Sequence, residues 1–321
     1  MKAIVYEKYG QPDVLHLKEV AKPIPKKNEV LIKVYATTVT PMDWRFRQGK
    51  NPIARMMAGP MKPNNPILGV ELSGEVETAG KEVKLFKQGD HVYAGGCPGG
   101  HAQYVCWPED KVSIKPANMT FEEAAGVPFC GTTALYFLKE LGKIQDEQKV
   151  LINGASGGVG TFAVQLAKYF GAHVTGVCST TNLELVQSLG ADKVIDYTSE
   201  DFTTNGQTHD IIFDAVGKRS FSQCKKSLNQ RGIYLSTIAT FPLLIQTLWT
   251  SMIGEKKAKF SMPPCTTKEL NFLKDIIEAG KMKTVIDRTY PLSDTAEAHM
   301  YSENGHAKGK LVITLEHNNK I

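Results

Sequence analysis

Long apolar runs are missing from this 321-residue chain. The most hydrophobic later stretch, residues 241–253, is interrupted by Pro242, Gln246, Thr247 and Thr250 and is too short to span a bilayer, which excludes a transmembrane helix there. The opening residues, MKAIVYEKYG, read as a charged strand rather than a signal or transit peptide. Cysteine is scarce: the six at positions 97, 106, 130, 178, 224 and 265 include no CxxC pair, so neither a zinc site nor a disulfide framework is written in their spacing, and reduced thiols are expected. Basic runs are absent too. The net charge of +5 arises wholly in residues 1–120, with 17 Lys/Arg against 12 Asp/Glu, while residues 121–321 balance at 21 against 21. Charge so dispersed makes a solvated surface with some pull on an anionic cofactor, not a nucleic-acid patch. Internal repeats and low-complexity segments are lacking, and no Ser-His-Asp or Cys-His constellation points to covalent catalysis. The expectation is a soluble, cytoplasmic protein with neither a membrane nor a nucleic acid as partner. Its length suits about two domains, and its 42% hydrophobic and 22% charged residues are ordinary for an enzyme.

What is present is concentrated in residues 149–181, KVLINGASGGVGTFAVQLAKYFGAHVTGVCSTT. Val150-Leu151-Ile152 has the make-up of a buried strand, and Asn153-Gly154 opens a glycine-rich turn. Val159, Ala163, Leu166 and Phe170 recur at helical spacing, Gly171 stands at a left-handed cap, and a second strand covers His173 to Cys178. Strand, turn, helix and strand form a βαβ unit whose first turn seats a dinucleotide pyrophosphate. Against the pattern G-x-G-x-x-G, the segment Ala155-Ser156-Gly157-Gly158-Val159-Gly160 has alanine first and glycine second and third. Gly157 admits the pyrophosphate, Gly160 admits close helix packing, and the free N–H groups of the helix start face the phosphates. The other reading of such a turn is a tight strand-to-helix connection. At the end of the second strand, where an acid marks NAD, the chain reads Cys178-Ser179-Thr180-Thr181-Asn182. With no acid to repel a 2′-phosphate and with Ser179, Thr180 and Asn182 to bond it, NADP is favoured, although no Arg or Lys stands there and Asn182 could simply cap the next helix.

Residues 1–120 read as short β-rich runs between Pro- and Gly-rich turns, as in a compact, partly open barrel. The long connection from Thr40 to Pro66 holds Trp44, Phe46 and four methionines, either an adaptable apolar substrate wall or a loop packed on the barrel. Arg45 and Arg47 are candidate anion contacts but are expected mostly as surface charge, and His101 as a strand-edge residue. From Phe121 onward strands and helices alternate, which implies a doubly wound parallel sheet. In FEEAAGVPFCGTTALYFLKEL the helices are expected to meet at a Gly-Thr-Thr turn, and the last strand, Gly309 to Glu316, is expected to return to the barrel.

This order, together with KAIVYEKYG, GVELSGEVETAG, GDHVYA, GHAQYV, AAGVPFCGTTALY, INGASGGVG, LGADKVIDY, DAVG and GKLVI, resembles the medium-chain dehydrogenase/reductase superfamily over nearly the whole chain. Within it the chain is most similar to the zinc-independent quinone oxidoreductases, a group with ζ-crystallin-like and enone-reducing members. The resemblance implies a Rossmann domain over residues 123–284 and a GroES-like, mostly β barrel domain over 1–122 and 285–321. It further implies an NADP(H)-dependent enzyme that passes hydride to quinones or α,β-unsaturated carbonyls, and a homodimer. The zinc alcohol dehydrogenases of the superfamily bind their catalytic ion through a Cys and a His-Glu pair; here those places read Thr40-Pro41-Met42-Asp43 and Val70-Glu71, so no metal is expected. Carried over residue by residue, Ser156, Gly157, Gly158 and Val159 would contact the pyrophosphate, and Ser179, Thr180, Asn182 and Tyr197 the adenosine phosphate. Val216, Gly217 and Ile238 would face the ribose and nicotinamide, Thr132 would lie near that ring, and Lys310 would approach from the barrel. Thr40, where many relatives have Asn, is the one candidate catalytic residue. Two alternatives stand beside this reading: an enoyl-thioester reductase, and a non-catalytic, ζ-crystallin-like protein that binds NADPH or RNA.

Overall fold

The computed structural model describes residues 1–50, 55–56, 58–305 and 307–317. The chain divides into two compact units, Met1–Phe129 with Cys265–Ile321, and Cys130–Pro264.

The first unit begins with strands β1 (Lys2–Val5), β2 (His16–Glu19) and β3 (Glu29–Val39), then helix α1 (Pro41–Gln48), strands β4 (Glu71–Ala79), β5 (His91–Gly95), β6 (Tyr104–Pro108) and β7 (Val112–Ile114), and the short helix α2 (Phe121–Ala125). The hub is β3, whose run EVLIKVYATTV pairs antiparallel with β4, β6 and, much later in the chain, β15. Its β-branched residues explain that role: Val30, Ile32 and Val34 enter one apolar cluster with Leu72, Val76, Val92, Trp107, Leu311 and Ile313. Each such burial contributes on the order of 1.5–3 kcal/mol. Helix α1 occupies the stretch read from sequence as the start of a long connection. Thr40 caps it in a capping box with Asp43, and Gly49 closes it in the left-handed conformation. Met56 and Met61 beyond it are exposed, and Met57 lies outside the described residues.

The second unit is built from helix α3 (Pro128–Leu135), which starts two residues before the division, a π-helical turn (Tyr136–Leu141), strand β8 (Lys149–Asn153), helix α4 (Gly158–Tyr169), strand β9 (His173–Cys178), helix α5 (Leu183–Ser188), strands β10 (Lys193–Asp196) and β11 (His209–Asp214), helix α6 (Phe221–Cys224), strand β12 (Leu228–Ser236), helix α7 (Phe241–Met252) and strand β13 (Lys257–Lys259). The strands form one sheet in the order β10-β9-β8-β11-β12-β13, every pair parallel. This is the doubly wound order, with its switch between β8 and β11. The helix break in FEEAAGVPFCGTTALYFLKEL falls at Gly126-Val127, and Gly131-Thr132-Thr133 lie inside α3, because Pro128 starts a fresh helix that the small residues continue. Strand β12 begins at Leu228 and runs through Asn229-Gln230-Arg231-Gly232.

The chain then re-enters the first unit with helix α8 (Thr267–Glu278), strand β14 (Ile286–Pro291), helix α9 (Thr295–Glu303) and strand β15 (Lys310–Thr314). Strand β15 lies antiparallel to β3, with Leu311 against Val39 and Thr314 against Ala36. These limits differ from the sequence-based 122 and 285. Helix α8 belongs with β5 and β7, where the Tyr93 hydroxyl donates to Leu270 O at 2.5 Å and Ser113 Oγ to Asn271 Oδ1 at 2.6 Å.

Arg47, expected as surface charge, and His101, expected at a strand edge, are both buried in this unit. Arg47 is wholly enclosed and ion-paired with Glu303, and the His101 ring bonds Thr38 O at 3.0 Å beside His299, 5.8 Å away between ring centroids. Burial, then His101 and Arg47, hold the His299 imidazole well below its ordinary 6.5. An unfolded imidazole takes a proton below that value and the folded one refuses it. Stability is therefore full above about pH 6.5 and falls as pH drops, by up to about 1.4 kcal/mol per pH unit for this one group. Urea unfolding at pH 7 and pH 5 measures the loss, which His299→Leu is expected to reduce.

Candidate dinucleotide-binding site

The site grows out of the turn between β8 and α4. Gly157 is the N-cap of α4 in extended conformation and offers no side chain to the helix, so the first-turn N–H groups have no acceptor from the cap. A Cβ added at Gly157 would meet only Gly154 O at 3.5 Å, an ordinary contact: the space above it is open. At Gly160 the same atom would come within 2.0 Å of Gly154 O, so that glycine is what lets the helix lie against the turn. The turn is fixed from behind by Gly154 N and Ala155 N, which donate to Val177 O at 3.0 and 2.9 Å. A rigid cradle, open above Gly157 and lined by unclaimed N–H groups at a positive helix end, fits a diphosphate.

Beyond β9 the candidate adenosine residues are drawn together. The Asn182 amide donates to Ser156 Oγ and Ser179 Oγ, both at 3.1 Å, so it ties the turn to the second strand end rather than capping α5. Its Oδ1 is buried without a partner. Thr180 Oγ1 donates to Asp196 Oδ2 at 2.5 Å, and Tyr197, half exposed, follows. Asp196 was not among the candidates, since it lies 16 residues past Thr180 and enters only because β10 pairs with β9, Asp196 against Cys178. Hydrogen bonds from Thr180 and then Thr198 hold its carboxyl below the usual range, so it is charged at neutral pH.

The loops after β11 and β12 carry Val216, Gly217 and Ile238. Buried Asp214 organises them: its carboxylate accepts from Val216 N at 3.2 Å, Gly217 N at 2.9 Å, Arg219 N at 3.0 Å, Asn153 Nδ2 at 2.9 Å and the Tyr234 hydroxyl at 3.1 Å. Thr237 Oγ1 donates to Ala215 O at 3.1 Å and stitches the two loops together. In sequence Asp214 was only the first letter of DAVG; no local signal gave it five donors. Asp214→Ala strands those donors, and a loss of about 3 kcal/mol in urea unfolding is expected.

The remaining candidates are placed differently. Thr132 is buried inside α3. Thr40 and Lys310 adjoin in sequence the residues Val39 and Leu311 that end the register of β3 with β15. Thr40 is buried, and its hydroxyl donates to Asp43 Oδ2 at 2.6 Å while Asp43 Oδ1 accepts from Gly69 N at 2.9 Å; it serves the helix cap. Lys310 is buried against Glu71, which also accepts from Thr38 Oγ1 at 2.5 Å and from Phe129 N at 2.8 Å. Glu71, at the place of the zinc dehydrogenases' Glu, is thus committed to a cation of the chain itself. Among the described residues no three His, Cys, Asp or Glu side chains gather as a metal site would require. Thiolate chemistry is disfavoured as well, since burial pushes Cys106 and Cys178 up to about 11 and Cys224 to about 12.

Comparison with known proteins gives the class. Residues 26–117 match the alcohol dehydrogenase GroES-like domain, and residues 189–313 a family described as zinc-binding dehydrogenase. The chain belongs to the medium-chain dehydrogenase/reductase superfamily, among the quinone oxidoreductases, and is an oxidoreductase. It is 34% identical to the mouse mitochondrial NAD(P)H oxidoreductase RTN4IP1, over 98% of this chain and 89% of that one. It is 36% identical to the tomato 2-methylene-furan-3-one reductase, over 98% of this chain and 79% of that one. The solved quinone oxidoreductase of Coxiella burnetii superposes with a TM-score of 0.89 at 31% identity, covering 98% of this chain and 99% of that one. A parallel Rossmann sheet joined to a GroES-like domain is therefore the fold, and a nicotinamide cofactor its partner in chemistry.

Proposed function

We propose that the protein is a zinc-independent NADPH:quinone or enone oxidoreductase of the cytoplasm, working as a homodimer. The observation that carries the reading is the open space above Gly157 at the uncapped start of α4. In this reading the N–H groups of Gly158 and Val159 and the Ser156 hydroxyl hold the pyrophosphate, Ser179, Thr180, Asn182 and Tyr197 surround the adenosine end, and Val216, Gly217 and Ile238 flank the nicotinamide. When bound, the reduced nicotinamide supplies a hydride to an electron-poor conjugated acceptor. The chain's part is to bind, orient and exclude water, and Asp214 supports it by fixing the loops that carry the last three residues. Thr132 is buried inside α3 of the second unit, and Lys310 is engaged with Glu71 in the first. Thr40, its proton given to Asp43, can accept a hydrogen bond but has none to give. Zinc independence is supported by the engagement of Glu71 with Lys310.

Asp196 bears on which dinucleotide is used. Its charge beside Thr180 opposes a 2′-phosphate, while its exposure lets water screen it, so the preference for NADPH is modest. Asp196→Asn is expected to raise the ratio of kcat/KM for NADPH over NADH on the order of tenfold. An unchanged ratio would place the 2′-position away from Thr180. The reading as a whole is tested by titrating the protein with NADPH and assaying a panel of quinones and enones; no oxidation of NADPH by any of them would refute it.

A further inference from the structure

Asn182 sits behind the proposed cofactor surface rather than on it. It is 8% exposed, while Ser156 on the glycine turn and Ser179 at the end of β9 are half-buried, and each serine Oγ accepts from its amide nitrogen at 3.1 Å. Both amide hydrogens are thus used, one on each serine. The reverse placing of the amide would strand two donors, where now the single acceptor Oδ1 is without a partner. A hydroxyl oxygen that accepts from Asn182 keeps its own proton for another partner. Among the described residues the Ser156 hydroxyl donates to nothing, and Ser179 Oγ faces Thr181 Oγ1 only at 3.4 Å, longer than an O–H···O bond.

Phosphate oxygens accept hydrogen bonds, so around a dinucleotide the protons that are free decide what binds. The neighbouring threonines have given theirs away. Thr180 Oγ1 donates to Asp196 Oδ2 at 2.5 Å, and Thr198 Oγ1 donates to Asp196 Oδ1 at 2.8 Å. We infer that Asn182 is a positioning residue, which turns the hydroxyl protons of Ser156 and Ser179 outward so that the first donates to the pyrophosphate and the second to the phosphate of the adenosine end. One buried amide then prepares both subsites at once. The inference rests on the cofactor site proposed above, and within that site Asn182 acts through the serines and not by touching the ligand.

The test is fluorescence titration with NADPH of the unaltered protein, Asn182→Asp and Asn182→Leu, with each change made also in a chain that carries Ser156→Ala and Ser179→Ala. In Asn182→Asp a carboxylate that only accepts draws both hydroxyl protons inward and leaves lone pairs toward the phosphates, so the Kd is expected to rise at least about a hundredfold. Repulsion by the new charge is part of that rise. The serine-free chain measures the repulsion alone, and there the rise should be smaller by at least about tenfold. Asn182→Leu removes the amide without adding charge: the Kd should rise about tenfold when the serines are present and stay unchanged when they are absent. Equal losses with and without the serines, or no loss at all, would make Asn182 a part of the fold only and overturn the inference while the cofactor site stands. Absence of NADPH binding by the unaltered protein would overturn both. Should Asn182→Asp fail to fold, the two Asn182→Leu chains decide by the same comparison.

Discussion

Replacing Gly157 by valine is expected to abolish dinucleotide binding while leaving the fold intact. The two halves of that statement rest on the same observation. A Cβ at Gly157 meets nothing beyond its chain neighbours closer than 3.5 Å, so the folded chain has room for a side chain to start there. The volume it occupies is the one assigned to the pyrophosphate, where an intruding side chain cannot be avoided by a ligand held to the backbone. A loss of at least about a hundredfold in NADPH affinity is expected by fluorescence titration, with far-UV circular dichroism and melting temperature close to the parent. Gly160→Val is the contrasting control: its Cβ would fall 2.0 Å from Gly154 O, so it should fail by misfolding. Retained NADPH affinity in Gly157→Val would refute the pyrophosphate assignment without touching the fold.

Lys310→Met is expected to be the most destabilising single change outside the apolar core. Lys310 and Glu71 are both buried, and removal of one member leaves the other as an uncompensated charge, at a cost of about 3–5 kcal/mol. The double variant Glu71→Leu, Lys310→Met should recover a good part of that loss, because two apolar groups replace two charges that had to be desolvated. Recovery is incomplete, since Thr38 Oγ1 and Phe129 N lose the carboxylate as well. Midpoints of urea unfolding for the two single variants and the double one measure this. Equal additive losses would mean that the pair is not coupled.

Much of this was legible in the chain because the signals were local. The strand, glycine turn and helix of residues 149–170 announce themselves by period and by the residues a tight turn needs, and the Thr266 capping box of α8 is four residues long. What escaped was created by pairing across distance. Asp196 reaches Thr180 through the register of β10 on β9, and Asp214 gathers donors from 153 to 234. Arg47 reads as surface charge until α9 brings Glu303 to it, some 256 residues away. Thr40, a candidate for the cofactor, bonds Asp43 at the start of α1, and Lys310, another, pairs with Glu71, which also accepts from Thr38 of β3.

The central claim is hydride delivery from a dinucleotide on the Ser156–Val159 turn to a conjugated acceptor with no metal in the step. It is tested most directly by following nicotinamide absorbance in chelator-treated protein with NADPH and a panel of quinones and enones. Oxidation of NADPH at a rate unchanged by chelation is the expected result; oxidation that appears only after zinc is restored, or none at all, would contradict it.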